Sequence, residues 1–111
     1  MTEDSLVMTI FFNYVSKFQP KFCECGCGER LPKNTNRCNF DHVLEKETYS
    51  ECKYSKKNIR YYLAECHANK TNGFPTDKQQ QYKIKALEQY NEIVKESSKF
   101  EKLIKNKIWE K

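Results

Sequence analysis

Three of the chain's six cysteines fall within five positions, in the run Cys23-Glu24-Cys25-Gly26-Cys27-Gly28, and 111 residues leave little room to fold around them without a tie. A domain of this size buries only a modest share of its surface, so a metal or disulfides are expected to supplement its core. The opening Met1-Thr2-Glu3-Asp4-Ser5 is acidic and no Ala-x-Ala pattern follows, which predicts an intracellular chain rather than a secreted one. In that setting thiols stay reduced and clustered cysteines hold metal more often than they pair. Extracellular disulfides are the alternative.

The length fits a single domain over residues 1–111. Charged residues make up 32% and hydrophobic residues 38%, which excludes a disordered tail or a low-complexity chain. The net charge is +5, of which +3 falls after residue 75; a mild positive field favours polyanions without proving contact with them. The longest apolar run, residues 6–12, is far short of the roughly 20 residues of a membrane span, so no membrane partner is expected.

Along the chain, Leu6, Val7, Ile10, Phe11, Tyr14, Val15 and Phe18 recur at helical spacing, with Thr2, Asp4 or Ser5 available as N-cap. They predict an amphipathic helix within residues 1–20, ending before Pro20. Residues 21–36 are rich in Cys, Gly, Pro and Asn and form a turn-rich knuckle. Short strands are expected at 37–43 and 59–63, joined by a polar loop at 44–58, and a short helix at 64–70 is stopped by Thr71-Asn72-Gly73 and Pro75. From Thr76 a helical C-terminal extension, 75–111, carries Tyr82, Ile84, Leu87, Tyr90, Ile93, Val94, Phe100, Leu103, Ile104 and Ile108 at helical spacing, with a kink expected at Ser97-Ser98. The class is α+β. Cys38, beside Phe40 on the first strand, is expected to be a small buried hydrophobe, and Cys52 a free thiol in the polar loop.

Both histidines of the chain lie between residues 41 and 70: Asp41-His42 ends a predicted strand, Asn58 precedes the next, and Cys66-His67 opens a helix that continues to Lys70. A strand–loop–strand–helix hairpin folds back on itself and brings these groups face to face. A carboxylate, an amide oxygen and an imidazole then surround one divalent cation, with a second imidazole beside it to take a proton from water.

The ordered set Asp41-His42-Val43, Asn58-Ile59 and Cys66-His67 three residues before Lys70 resembles the HNH endonuclease motif, above all small phage-type members with a cysteine knuckle upstream. It spans about residues 22–74, with 21–74 as the knuckle plus core. The resemblance implies a ββα-metal core, flanked by an N-terminal helix and a long C-terminal helix or helix pair. It implies hydrolysis of DNA phosphodiester bonds with one divalent cation (Mg, Mn, Ni or Zn). In those terms His42 is the general base, Asp41 and His67 are metal ligands, and Asn58 either completes the coordination or fixes the loop that aims His42. A phage-encoded chain would act in the cytoplasm of a bacterial host.

Zinc-bearing members pair Cys-x-x-Cys-His at the helix start with an upstream Cys-x-x-Cys, whereas here Leu63 stands at the first of those positions and only Cys66 is kept. Cys23, Cys25 and Cys27 with Cys66 still supply a tetrahedral structural zinc set, with Cys38 or Cys52 as substitutes. For DNA, double-stranded or branched, Lys53, Lys56, Lys57, Arg60 and Lys70 surround the expected site, interleaved with Tyr54, Tyr61 and Tyr62. Cations that track phosphates give affinity without sequence choice, so low sequence specificity or selection by DNA structure is expected. The rival expectations are a catalytically inactive, zinc-stabilised module that binds DNA or protein, and an interaction protein whose C-terminal helix forms a homodimer or meets another phage protein.

Overall fold

Thr2 caps the first helix, accepting a hydrogen bond from Ser5 N–H at 3.1 Å, and α1 runs Glu3–Val15 before a 3-10 turn at Ser16–Phe18. The computed structural model describes residues 2–109. Val7, Phe11 and Val15 of the expected stripe are buried and are joined by Met8, while Tyr14 and Phe18 of that stripe are exposed. The chain then makes the cysteine knuckle and enters β1 (Phe40–His42), which pairs antiparallel with β2 (Ile59–Tyr61). In that register Asp41 lies opposite Arg60 and His42 opposite Ile59. Helix α2 spans Ala64–Thr71, α3 Asp77–Glu88 and α4 Tyr90–Trp109. The observed class is α+β, four helices around a two-stranded sheet. Among the described residues no helix is long and apolar enough to cross a membrane.

Both strands are shorter than expected. Residues 37–39 form a 3-10 turn held by a reciprocal capping box between Asn36 and Asn39. A turn with a period near three replaces the alternation of a strand, so Asn39 and Phe40 go inward while Cys38 is left exposed. The expectation that Cys38 is buried is therefore corrected: its thiol donates to Asn36 Oδ1 on the surface. Cys52 is a free thiol, as expected, and it is buried. The loop between the strands carries two 3-10 turns, Ser50–Cys52 and Lys56–Asn58, and its Leu44, Cys52, Tyr54 and Ser55 are buried. Burial pushes the Cys52 thiol up to about 11.

The C-terminal extension is a helix pair. It breaks at Gln89 rather than at Ser97-Ser98, through which α4 continues. Ser97 is buried and its Oγ accepts from Tyr54 N–H at 2.9 Å, so a small hydroxyl serves the loop where a kink is expected from sequence. The apolar stripe divides within α4, not at the break. Ala86 and Ile93 pack with Val43, Leu44 and Cys52, while Ile104 joins α1, the knuckle and both strands in the larger cluster. Ile84, Leu87 and Leu103 from the same stripe are exposed.

The knuckle is woven into the sheet edge. Glu24 N–H donates to Tyr61 O at 2.8 Å, and the Glu24 carboxylate accepts from Tyr61 N–H and from Arg60, each at 3.1 Å. It also holds the start of α3: Thr76 Oγ1 donates to Cys25 O and Tyr82 Oη to Glu24 O, both at 2.9 Å.

Candidate functional site

The knuckle turns back on itself through Gly26 (φ +96°) and Gly28 (φ +80°), left-handed conformations that side chains rarely adopt. That reversal lets three thiols spaced two apart face the first turn of α2. Cys23, Cys25, Cys27 and Cys66 place their sulfurs within 4.8 Å of one another. Cys25 Sγ lies 3.3 Å from both Cys23 and Cys66, and Cys66 lies 3.9 Å from Cys27. Tetrahedral zinc with bonds of about 2.3 Å needs sulfur separations of about 3.8 Å, so the set fits a structural metal such as zinc. Leu63, where the family pattern has a cysteine, contributes its backbone N–H to Cys23 Sγ at 3.2 Å. Without metal, burial pushes the Cys25 thiol up to about 11 and raises Cys66 as well, so binding must displace protons. Cys38 and Cys52 stand outside the cluster.

A second site opens beside it. A cleft of about 600 Å³ is lined by Asp41 and His42 from β1 and by His67 and Lys70 from α2. Asn58 lies behind it, fully buried. Its Oδ1 accepts from Leu44 N–H at 2.8 Å, and its Nδ2 donates to Leu44 O and Cys52 O at 3.1 and 3.2 Å. The Asn58 amide is thus engaged in fixing the loop, one of the two roles expected for it.

The two histidines have defined tautomers, because a backbone carbonyl can only accept. His42 Nε2 lies 2.8 Å from Lys53 O and so carries the proton, leaving the Nδ1 lone pair. Burial lowers the pKa of His42 below 6.5, against a smaller upward pull from the Lys53 carbonyl, so the ring is neutral at pH 7. His67 Nδ1 lies 2.8 Å from Cys38 O and donates to it, which turns Nε2 toward Asp41 Oδ1 at 3.3 Å. The hydrogen bond to Asp41 raises the pKa of His67 above 6.5, partly opposed by burial.

In the metal-free protein, a histidine proton titration by NMR should therefore give one midpoint above 6.5 and one below it. Asp41→Asn should bring the upper one down most, with a smaller fall in the lower one, whose ring also feels the Asp41 charge. The upper group contributes stability that is fully present below the unfolded value and lost as pH rises through its folded pKa; the lower group's contribution is present above the unfolded value and lost as pH falls. Two coincident midpoints would contradict this geometry.

Asp41 is the hub of the cleft. Its second oxygen, Oδ2, lies 2.7 Å from Lys70 Nζ, and both side chains are largely buried. Asp41 thus holds His67 Nε2 through Oδ1 at 3.3 Å and Lys70 Nζ through Oδ2 at 2.7 Å.

The other cations expected around the site are dispersed. Lys53 lines a neighbouring groove that shares Arg37, Lys46 and Glu47 with the cleft. Lys56, Lys57 and Arg60 line a different groove, with Phe18, Pro20 and Glu24. There Lys57 pairs with Glu92, Lys56 sits over the Phe18 ring, and Arg60 is held by Glu24 above Tyr82. The cleft instead takes Arg37 from the turn before β1, Lys46 from the loop after it, and Lys83 from α3, the last paired with Glu45 at 3.1 Å. Phe12 of α1 and Gln79 of α3 also line it. Sequence reasoning missed these because helices outside the motif bring them in; the Thr76-x-x-Gln79 capping spacing was the one local signal for the last. Compared with protein-family models, curated proteins and solved structures, the chain finds no match in any of the three.

Proposed function

We propose that this chain is a metal-dependent DNA endonuclease of the HNH type. The observation that carries the reading is the pair of oppositely poised histidines on one cleft: a neutral His42 with a free Nδ1, and a His67 whose Nε2 converges on Asp41. Their order along a strand–strand–helix unit supports the same reading.

In this reading His42 Nδ1 takes the proton of the attacking water, and its Nε2–H bond to Lys53 O keeps the ring in the tautomer that can do so. Asp41 and His67 would hold the divalent cation, with the Cys38 carbonyl fixing the His67 ring. When bound, the cation supplies polarisation of the scissile phosphate and charge for the departing oxygen. Arg37 and Lys46 neutralise flanking phosphates, which gives affinity without base recognition. Asn58 holds the loop that supplies the Lys53 carbonyl.

Supercoiled plasmid incubated with protein that keeps its structural zinc and is desalted of other ions, with Mg²⁺, Mn²⁺, Ni²⁺ or Zn²⁺ added singly, tests the proposal. Nicking or linearisation that depends on the added ion is the expected result. A folded protein that cuts with none of them would sink it and favour a module that binds DNA or protein without cutting. One observation speaks for that rival: Lys70 already neutralises the Asp41 carboxylate.

A further inference from the structure

Gln79 is 2% exposed, lines the cleft, and has a side-chain nitrogen with no hydrogen-bond partner. Its orientation is not free. Gln79 Oε1 accepts from Thr76 N–H at 2.8 Å while Gln79 N–H donates to Thr76 Oγ1 at 3.2 Å, the reciprocal capping box of α3. Flipping the amide would set its NH₂ against the Thr76 N–H, donor against donor. The nitrogen is thus the end of the amide left without a partner, buried in a residue of the cleft wall. The start of α3 is itself anchored, by Thr76 on Cys25 O.

A glutamate at this position would complete the same box and gain from the helix dipole. What glutamine adds is a pair of N–H donors, and burying donors without an acceptor is costly. An acceptor brought by a ligand removes that cost. The cleft sets Arg37, Lys46, Lys70 and Lys83 against Asp41, Glu45 and Glu47. Of these, Asp41 and Glu45 are already paired with Lys70 and Lys83, which leaves exposed Arg37 and Lys46 for an anionic ligand. Glutamine amides are ordinary donors to phosphate oxygens.

We propose that Gln79 is a positioning residue whose side-chain N–H groups hold a phosphodiester oxygen of the DNA strand lying across Asp41, His42 and His67. This rests on the reading of the cleft as a phosphodiester site, and it places the N-terminal turn of α3, outside the HNH-like segment, in the substrate wall.

The decisive variant is Gln79→Glu, which keeps the capping acceptor and replaces the donor by a carboxylate oxygen. Gln81→Glu adds the same charge on an exposed part of α3 that does not line the cleft and serves as the control. Melting temperature and affinity for a fluorescent 12-base-pair duplex are measured for both variants and the wild type with no divalent cation present beyond the structural zinc. Gln79→Glu should remain folded at the assay temperature yet bind at least about tenfold more weakly than Gln81→Glu. In the wild type, the Gln79 side-chain ¹⁵N–¹H₂ signals should shift on titration with dimethyl phosphate. Equal binding by the two variants, with those signals unmoved, would reduce Gln79 to a helix cap and leave the nuclease reading standing. A wild-type protein that neither binds nor cuts DNA would overturn both.

Discussion

His42→Gln is expected to lower metal-dependent plasmid cleavage by about 10²–10⁴-fold while leaving DNA affinity and melting temperature near those of the wild type. Glutamine keeps an N–H able to reach the Lys53 carbonyl and carries no basic lone pair, so only the proton transfer is removed. His42→Ala should lose cleavage to the same extent but also stability. The imidazole packs against the rings of Phe11 and Phe12, with centroids 6.3 and 6.0 Å away, and alanine leaves both a hole and an unpaired carbonyl there. Using the two variants together separates a catalytic loss from a folding loss. Because the base acts in the chemical step, kcat should fall with KM nearly constant. Cleavage that survives in His42→Gln would remove His42 from the chemistry and, with it, the main support for the endonuclease reading.

Cys25→Ser should have the largest structural effect of any single change in the cysteine cluster. Cys25 is buried and its sulfur lies 3.3 Å from two of the other three. Structural zinc sites contribute roughly 10–16 kcal/mol of apparent binding energy at neutral pH, as much as the whole stability of a typical small domain. The wild type should therefore carry one zinc per chain, released by chelators together with a large fall in melting temperature. Cys25→Ser should purify with little zinc and melt broadly or not at all. The loss should spread to the cleft, because the same knuckle holds Thr76 and Tyr82 at the start of α3. Cys38→Ser, on the exposed thiol outside the cluster, should change neither metal content nor melting. Elemental analysis and thermal denaturation on the three proteins decide it: a Cys25→Ser protein with wild-type zinc and melting temperature would remove the structural site.

The parts of this molecule legible in its sequence are those whose physics is local. A thiol run broken by Gly26 and closed by Gly28 reads as a tight turn; Cys66 was one of the fourth ligands on offer, with Cys38 or Cys52 as substitutes, and the closed hairpin selects it. Helix α1 shows itself through the spacing of Val7, Phe11 and Val15. Its cap was open among three residues, and the structure uses Thr2. Asn58 was placed at the site but not given one role. Its environment is made by Leu44 and Cys52, residues 14 and 6 positions away, whose backbones it satisfies only after the loop has closed.

The expectations that failed had more than one cause. Cys38 is exposed because a 3-10 turn held by the local Asn36–Asn39 capping box replaced the start of a strand, whereas the burial of Cys52 came from a polar-looking loop that sank its apolar residues against the helix pair. The lysines near Asn58 were counted toward the cleft from proximity in sequence, yet the backbone carries Lys56, Lys57 and Arg60 to another groove. Thus the sequence alone determined the chemistry on offer: four thiols of the right type and spacing for a metal, two histidines and a carboxylate, and the order of elements that brings them near one another. Only the tertiary structure decided which nitrogen of each histidine faces the cleft, that Lys70 rests on Asp41, and that α1 and α3 wall the site. Residue type and short spacing are properties of the chain itself, whereas tautomer, burial and pairing are set by whatever the folded chain packs against each group.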